Sequence, residues 1–228
     1  MGLLSNRILD RKSLKPGEHI YSWRAAYLYA HHGIYIGDNK VVHFTRRGQE
    51  VGTGTVLDGL IVSVAPQPSA IPCPNCNQTD TTNGIITSCL ECFLSGHGLY
   101  RFEYSVSPAV FLANPRGGTC TLAASDPPEA VVKRANYLVK NGFGRYHVFK
   151  NNCIDFAIFC KTGFLLSDKK TMGPIGLAAS IIGGPTEVAF SVSLKLVKAA
   201  SGVAAYSVSR HAADIGTRSE VVKHQTKS

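Results

Sequence analysis

Tyr29-Ala30-His31-His32-Gly33-Ile34-Tyr35-Ile36-Gly37-Asp38-Asn39-Lys40-Val41-Val42-His43-Phe44 reads as two β-rich runs around a Gly-Asp-Asn turn, so a hairpin is expected. Loop length decides what that hairpin can do. With Gly37-Asp38-Asn39 as a three-residue loop, Ile36 faces Lys40 and Gly33 faces His43. His31 and His43 then share one face as diagonal neighbours, roughly 7–8 Å apart at the backbone. Gly33, opposite His43, would leave a gap that a cysteine side chain fits. A two-residue Asp38-Asn39 loop would instead put the histidines on opposite faces, because one step of register exchanges the faces of a strand. Strand alternation turns His32 away from His31. The plainer reading is a pair of ordinary strand histidines, one exposed and one satisfied in the core.

Downstream, Asn151-Asn152-Cys153-Ile154-Asp155-Phe156 sets a cysteine at the mouth of a helix. The asparagines can cap it, and Phe156, Ala157 and Cys160 follow Cys153 by three, four and seven residues, the spacing of one buried stripe. Lys161 and Gly163 read as its stop. A thiol in the first turn lies in the positive end of the helix dipole, with backbone N–H groups aimed at it. Both favour a thiolate and can hold a developing oxyanion. A nucleophilic cysteine needs a base, and the hairpin histidines are the candidates upstream. A small buried cysteine on an amphipathic helix is the alternative.

Lys15-Pro16-Gly17-Glu18-His19-Ile20, then His31-His32-Gly33-Ile34-Tyr35-Ile36-Gly37, Val41-Val42-His43-Phe44 and Asn151-Asn152-Cys153 together resemble the lecithin:retinol acyltransferase-like family, a branch of the permuted papain-like cysteine enzymes. The likeness runs over about residues 13–165 and is strongest to plant members carrying a cysteine-rich insertion. It implies an α+β fold, with an antiparallel sheet packed on helices. It also implies a Cys-His-His site in which Cys153 is the nucleophile, His31 its general base, and His43 the residue that orients or polarises His31. The implied reaction forms a thioester acyl-enzyme from a lipid, ester or thioester donor and passes the acyl group to an amine, alcohol or water. One position departs: the family usually has an acidic residue directly after the cysteine, and here it is Ile154. Tyr35, Tyr146 and Asn152 are further polar candidates that the sequence does not rank. Two other classes stand beside this one. The first is an acid–base enzyme, such as a cyclase or isomerase of plant specialised metabolism. The second is a non-catalytic zinc-containing scaffold.

Cys73-Pro74-Asn75-Cys76 and Cys89-Leu90-Glu91-Cys92 are two Cys-x-x-Cys knuckles with twelve residues between them. Each knuckle can present two thiolates to one ion, so a tetrahedral structural zinc is expected at Cys73, Cys76, Cys89 and Cys92. Four thiolates would close the coordination sphere, which suits structure rather than catalysis. The rival is a pair of disulfides, which needs an oxidising compartment. Met1-Gly2-Leu3-Leu4, followed by Arg7, is too short an apolar run for a secretory signal. A reducing, cytoplasmic setting is therefore expected, and it favours metal. Of the remaining cysteines, Cys160 reads as core and Cys120 as a small buried residue.

The 228 residues are enough for a sizeable core, organised as an enzyme-like domain over 13–165, an inserted module over 73–92, and a C-terminal helical segment with polar tail over 166–228. Strand signals recur at 18–23, 31–36, 40–45, 60–64, 98–105, 119–123 and 146–149. A helix is expected from Asp126 as cap through Pro127, Pro128 and Glu129, with Val131, Ala135 and Leu138 as its stripe and Gly142 as its end. These elements segregate rather than alternate, which argues for α+β over a doubly wound sheet. The longest uncharged stretch of the C-terminal part, Thr171–Thr186, has sixteen residues and two prolines, short of the roughly 20 apolar residues of a membrane span. It leaves room for peripheral membrane contact or packing on the domain, with Arg218–Ser228 as a frayed end. The net charge of +9 comes from 24 basic and 15 acidic residues. The basic residues are dispersed in pairs at most, which disfavours nucleic acid and leaves a small-molecule or lipid acyl substrate as the expected partner.

Overall fold

The computed structural model describes residues 6–24, 27, 29–45, 73, 76, 84–114, 117–144, 152–166, 207–208, 210–212, 214–217 and 221–223. The strand expectations at 60–64 and 146–149, Tyr146, and the uncharged stretch 171–186 lie outside these residues.

Strands β1 (His19–Arg24), β2 (Tyr29–Gly37), β3 (Lys40–Phe44) and β4 (Ile85–Cys89) form an antiparallel meander, and β5 (Tyr100–Arg101) closes it beside β1, in the order β4-β3-β2-β1-β5. β4 runs directly into a short helix, α1 (Leu90–Leu94). Helices α2 (Pro108–Ala113), α3 (Pro128–Asn141) and α4 (Cys153–Thr162) follow, and then β6 (Phe164–Leu166). The result is the α+β arrangement that the segregated elements imply. β1 is buried at every position, because both faces of the sheet are covered.

On one face Ile34, Val42, Phe44 and Ile85 pack on Val131, Ala135 and Leu138 of α3 and on Phe156, Ala157 and Cys160 of α4. These are the stripes read from the sequence. On the other face Ile20 and Val41 pack on Leu90, Phe93 and Leu94 of α1 and on Leu14. Cys120 and Cys160 are buried, as expected.

Four local expectations are corrected. Asp126 does not cap α3: the N-cap is Pro127, with no side-chain cap, and the Asp126 carboxylate instead accepts from Arg134 Nη2 at 2.9 Å. Arg134 lies within the buried stripe and also donates to the Phe159 and Cys160 carbonyls, tying α3 to the last turn of α4. The expected strand over 98–105 is ordered as β only at Tyr100–Arg101, and that at 119–123 reduces to a single bridge, Glu103–Cys120. The C-terminal end is not wholly frayed, since β7 (Val221–Lys223) pairs with β6.

Residues 214–216 are fitted to the domain in detail. Asp214 Oδ1 accepts from Thr121 Oγ1 and the Leu122 and Gly216 N–H groups at 2.9, 3.1 and 2.9 Å, and Ile215 is buried beside Tyr21 and Trp23. A Cβ on Gly216 would lie 2.5 Å from the Ala123 nitrogen. Gly216→Ala is therefore expected to cost about 1–3 kcal/mol, read as a lowered urea midpoint; an unchanged midpoint would mean that this tail is not fitted to the domain in solution.

Candidate active site

Asp38 and Asn39 both have positive φ, +48° and +58°, so the hairpin closes on a two-residue turn between Gly37 and Lys40, not on the expected three-residue loop. By simple parity that turn would separate the histidines. The ladder slips between Tyr35 and Gly37, however, so that one extra residue bulges at Ile36 and Gly33 pairs with His43. The bulge restores the face that the turn would have exchanged. His31 and His43 accordingly meet, with Nε2 and Nδ1 2.9 Å apart and the rings perpendicular.

His43 Nε2 lies 2.9 Å from Ser88 Oγ, and that hydroxyl donates to the Cys89 carbonyl at 3.2 Å. The chain His31–His43–Ser88 carries one proton per link, and its direction follows the tautomer of the two rings. In the arrangement where His31 Nε2–H donates to His43 Nδ1, His31 keeps an unprotonated Nδ1, the atom a general base needs. Burial holds the His31 pKa well below its usual 6.5, with His43 adding to the effect, and burial lowers His43 to about 3. Both rings are therefore neutral near pH 7. Phe93 packs against both, its ring centre 5.3 Å from His31 and 5.4 Å from His43. The space opposite His43 is not a pocket for a cysteine: a Cβ on Gly33 would meet Val41 Cγ1 at 2.7 Å and Phe93 Cε2 at 2.9 Å.

Helix α4 packs on the sheet face opposite these rings. Among the described residues, Tyr29–His32 have their register partners on β1. On this segment the Cys153 thiol donates to the Ala30 carbonyl at 3.8 Å, one residue before His31. The described bond of the sulfur is thus to the backbone beside His31. Cys153 is 7% exposed and opens α4, whose N-cap is Asn152. Asn152 Oδ1 accepts from the Ile154 and Asp155 N–H groups at 3.0 and 3.2 Å, and Asp155 Oδ2 accepts from the Asn152 N–H at 3.0 Å. This capping box takes up two N–H groups that the sequence offered to an oxyanion, while Cys153 stays in the positive end of the helix dipole. Tyr35, another sequence candidate, accepts from the Asn39 N–H at the hairpin turn, 3.3 Å away.

The four sulfurs of Cys73, Cys76, Cys89 and Cys92 lie within 4.8 Å of one another, and those of Cys73 and Cys89 are 3.9 Å apart. A tetrahedral ion with metal–sulfur bonds of about 2.3 Å requires sulfurs roughly 3.8 Å apart. The Cys89 and Cys92 N–H groups donate to Cys76 Sγ and Cys89 Sγ at 3.0 and 3.5 Å. Burial and neighbouring thiols push Cys92 upward, a conflict that a bound cation inverts. The cluster can hold a metal ion.

A profile described as lecithin retinol acyltransferase matches residues 12–165. The chain is also 58% identical over 229 aligned positions to the Arabidopsis thaliana protein LEAD-SENSITIVE 1, covering 98% of this chain and 88% of that one. The chain belongs to the lecithin retinol acyltransferase family. Its members are typically acyltransferases or hydrolases of the papain-like thiol type. No solved structure matches.

Within this frame, sequence reading overlooked a second histidine chain on the α4 face. His32 points there, as alternation requires. Its Nδ1 lies 2.9 Å from His19 Nε2, and His19 Nδ1 lies 2.9 Å from Tyr104 Oη. His19 stacks on Phe102 with ring centres 4.3 Å apart. Burial lowers His32 to about 3 and His19 well below its usual value. Nothing in the local pattern of Glu18-His19-Ile20 marks His19 as buried, since β5 and Phe102 cover it from sequence far away. Ile154, at the position that is usually acidic in the family, packs with the apolar residues around Tyr21, Trp23 and Ile158. The acidic residue of this first turn is Asp155, which burial raises to about 6. Arg24 was also missed. This buried guanidinium donates to Ser22 Oγ and to the Phe93 and Leu94 carbonyls that end α1.

Proposed function

We propose that the chain is a cysteine-dependent acyltransferase or hydrolase, with Cys153 as nucleophile, His31 as general base and His43 as the group that orients His31. The observation that supports this reading is the Cys153 thiol at the Ala30 carbonyl, one residue before His31, whose ring is tied through Nε2 to His43 and offers Nδ1 as its second nitrogen. Rotation of the thiol from the Ala30 carbonyl towards that nitrogen passes its proton to His31. The thiolate then attacks the carbonyl carbon of an ester or thioester. The tetrahedral oxyanion is held by the Cys153 N–H and the α4 dipole. Its collapse expels the alcohol or thiol, which takes the proton from His31, and leaves a thioester on Cys153. An amine, alcohol or water then attacks the thioester, with His31 again as base, and Cys153 leaves as the thiol. Because His31 is neutral, the thiolate forms during attack and not as a standing ion pair.

The acyl donor is read as a lipid or small molecule. Among the described residues no helix is long and apolar enough to cross a membrane, and contact with a membrane surface would be peripheral. Cys73, Cys76, Cys89 and Cys92 would hold zinc as a closed structural centre, consistent with a reducing, cytoplasmic setting. Thiolates are soft donors, so lead would compete for the same site, a chemistry in keeping with the name of the Arabidopsis relative.

Intact-protein mass measured under denaturing, zinc-stripping conditions tests the reading, after incubation with phospholipids and acyl thioesters. An acyl-sized gain on the wild type and none on Cys153→Ala is expected. The same gain on both proteins, or a gain that maps to another residue, would sink the assignment of the nucleophile.

A further inference from the structure

The N-terminal segment is tied to the loop that leaves α1. The Ile8 N–H donates to the Leu99 carbonyl at 2.8 Å, the Arg101 N–H donates to the Asn6 carbonyl at 2.7 Å, and Arg7 bridges to Tyr100 of β5. Between segment and loop lies a cavity of about 260 Å³. Ile8 and Leu99 line it and also pack with Leu90, Phe93 and Leu94 of α1, so its walls are anchored to the core. Arg7, Arg11 and His97 supply its charge, and no acidic residue lines it. Gly96 forms part of the wall with a φ of +77°, and a Cβ built there would meet nothing within 4 Å. That side is bare backbone facing open space.

We propose that this cavity binds a phosphate group, with Arg7 and Arg11 as its principal ligands. A guanidinium is a planar fork of donors that matches two oxygens of a tetrahedral anion. Two guanidinium groups suit a doubly charged phosphate ester better than a carboxylate, which carries one charge and two oxygens. Arg7 is exposed, and among the described residues no acidic group pairs with it. Arg11 pairs with Glu91, but both side chains are more than half exposed. Such a pair contributes little, which lets Arg11 turn towards an anion. The neighbouring Asp10 carboxylate accepts from the Lys12 N–H at 2.9 Å. At about 260 Å³ the cavity falls below the ~300–1,000 Å³ of sites that enclose a whole drug-sized ligand. It takes a head group or a small ester and leaves any acyl chain outside. Two sources share this chemistry, the headgroup of an anionic phospholipid and a soluble phosphate ester. Leu9 lines the same cavity and is 75% exposed, a side chain that would enter the bilayer in the first case. Binding here involves neither Cys153 nor the histidines and is independent of acyl transfer.

Amide ¹H–¹⁵N spectra of the full-length chain, prepared with zinc and titrated with inorganic phosphate at constant ionic strength, read the site directly. Saturable shifts at Gly96, His97 and Gly98 are expected at millimolar phosphate, with no matching shifts from acetate. Arg7→Gln combined with Arg11→Gln should weaken binding by roughly tenfold or more, the effect of losing a charge-assisted hydrogen bond. Lys133→Gln combined with Lys140→Gln removes the same charge from exposed positions of α3 and should leave the affinity unchanged. All four side chains are exposed, so both variants should keep the wild-type urea midpoint. A silent titration, an equal response to acetate, or equal affinities in the two double variants would overturn the site, whatever the lipid arm shows. Sedimentation with phosphatidylcholine vesicles, with and without phosphatidic acid, then separates the sources. Pelleting that requires phosphatidic acid and falls in the arginine variant identifies a lipid headgroup. Phosphate shifts without arginine-dependent pelleting identify a soluble phosphate ester.

Discussion

His31→Asn lowers the rate of Cys153 acylation, or of its alkylation at neutral pH, by roughly 10²–10⁴-fold. An amide cannot take the thiol proton, although it can keep one hydrogen bond to His43. His43→Asn should cost less, because it disturbs the orientation and tautomer of His31 without removing the base. His32→Asn breaks the chain to His19 and Tyr104 on the opposite face. It should lower stability while leaving the alkylation rate per folded molecule unchanged. The order His31, His43, His32 in rate loss is the signature to look for in a stopped alkylation assay with mass readout. A variant at His32 that loses rate as much as one at His31 would mean that the base had been assigned to the wrong face of β2.

Lowering the pH from 7 to 5 should reduce the free energy of unfolding by about 2 kcal/mol for each of His32 and His43. In the unfolded chain these imidazoles bind a proton near pH 6.5, whereas in the folded protein burial delays binding to about 3. Between those values the unfolded state holds more protons, so stability is complete above about pH 6.5 and is lost as pH falls towards 3. His19 and His31, shifted in the same direction by burial, add to the loss. Against a typical total of about 5–15 kcal/mol, this is enough to unfold the domain in mild acid. Urea midpoints at pH 7 and 5 measure the effect, and equal midpoints would contradict it. Acid also protonates metal-binding thiolates. The comparison should therefore be repeated on the Cys73→Ser, Cys76→Ser variant, where the loss should persist if the histidines cause it.

Much of the candidate site was legible because its elements are local. The helix at Cys153 announces itself through Asn152, the Phe156–Ala157–Cys160 stripe and Gly163. The pairing of Gly33 with His43 was read correctly, but by a wrong route: a longer loop was assumed where a tight turn and a bulge at Ile36 give the same faces. A bulge leaves little trace in an alternating run such as Gly33–Ile36, whose residues suit either register. What escaped depends on distant partners. Ser88 and β4 were hidden because Ile85–Cys89 reads as the approach to a metal knuckle, and its pairing with β3 crosses a segment of about forty residues. Arg24 was not singled out because its partners, the Phe93 and Leu94 carbonyls of α1, lie about seventy residues away. β7 was read as frayed because three residues, Val221–Lys223, carry no pattern of their own and gain a strand only beside β6.

The bulge at Ile36 also constrains how this hairpin can change length over evolutionary time. Deleting that single residue would straighten the ladder and turn His43 towards α3 and α4, leaving His31 alone on its face. Inserting one residue elsewhere between Gly33 and His43 would do the same. Changes of two residues keep both rings together, so viable insertions and deletions here should come in even steps. A deep mutational scan of indels across Gly33–His43 would show an odd–even alternation in fitness wherever Cys153 chemistry is under selection.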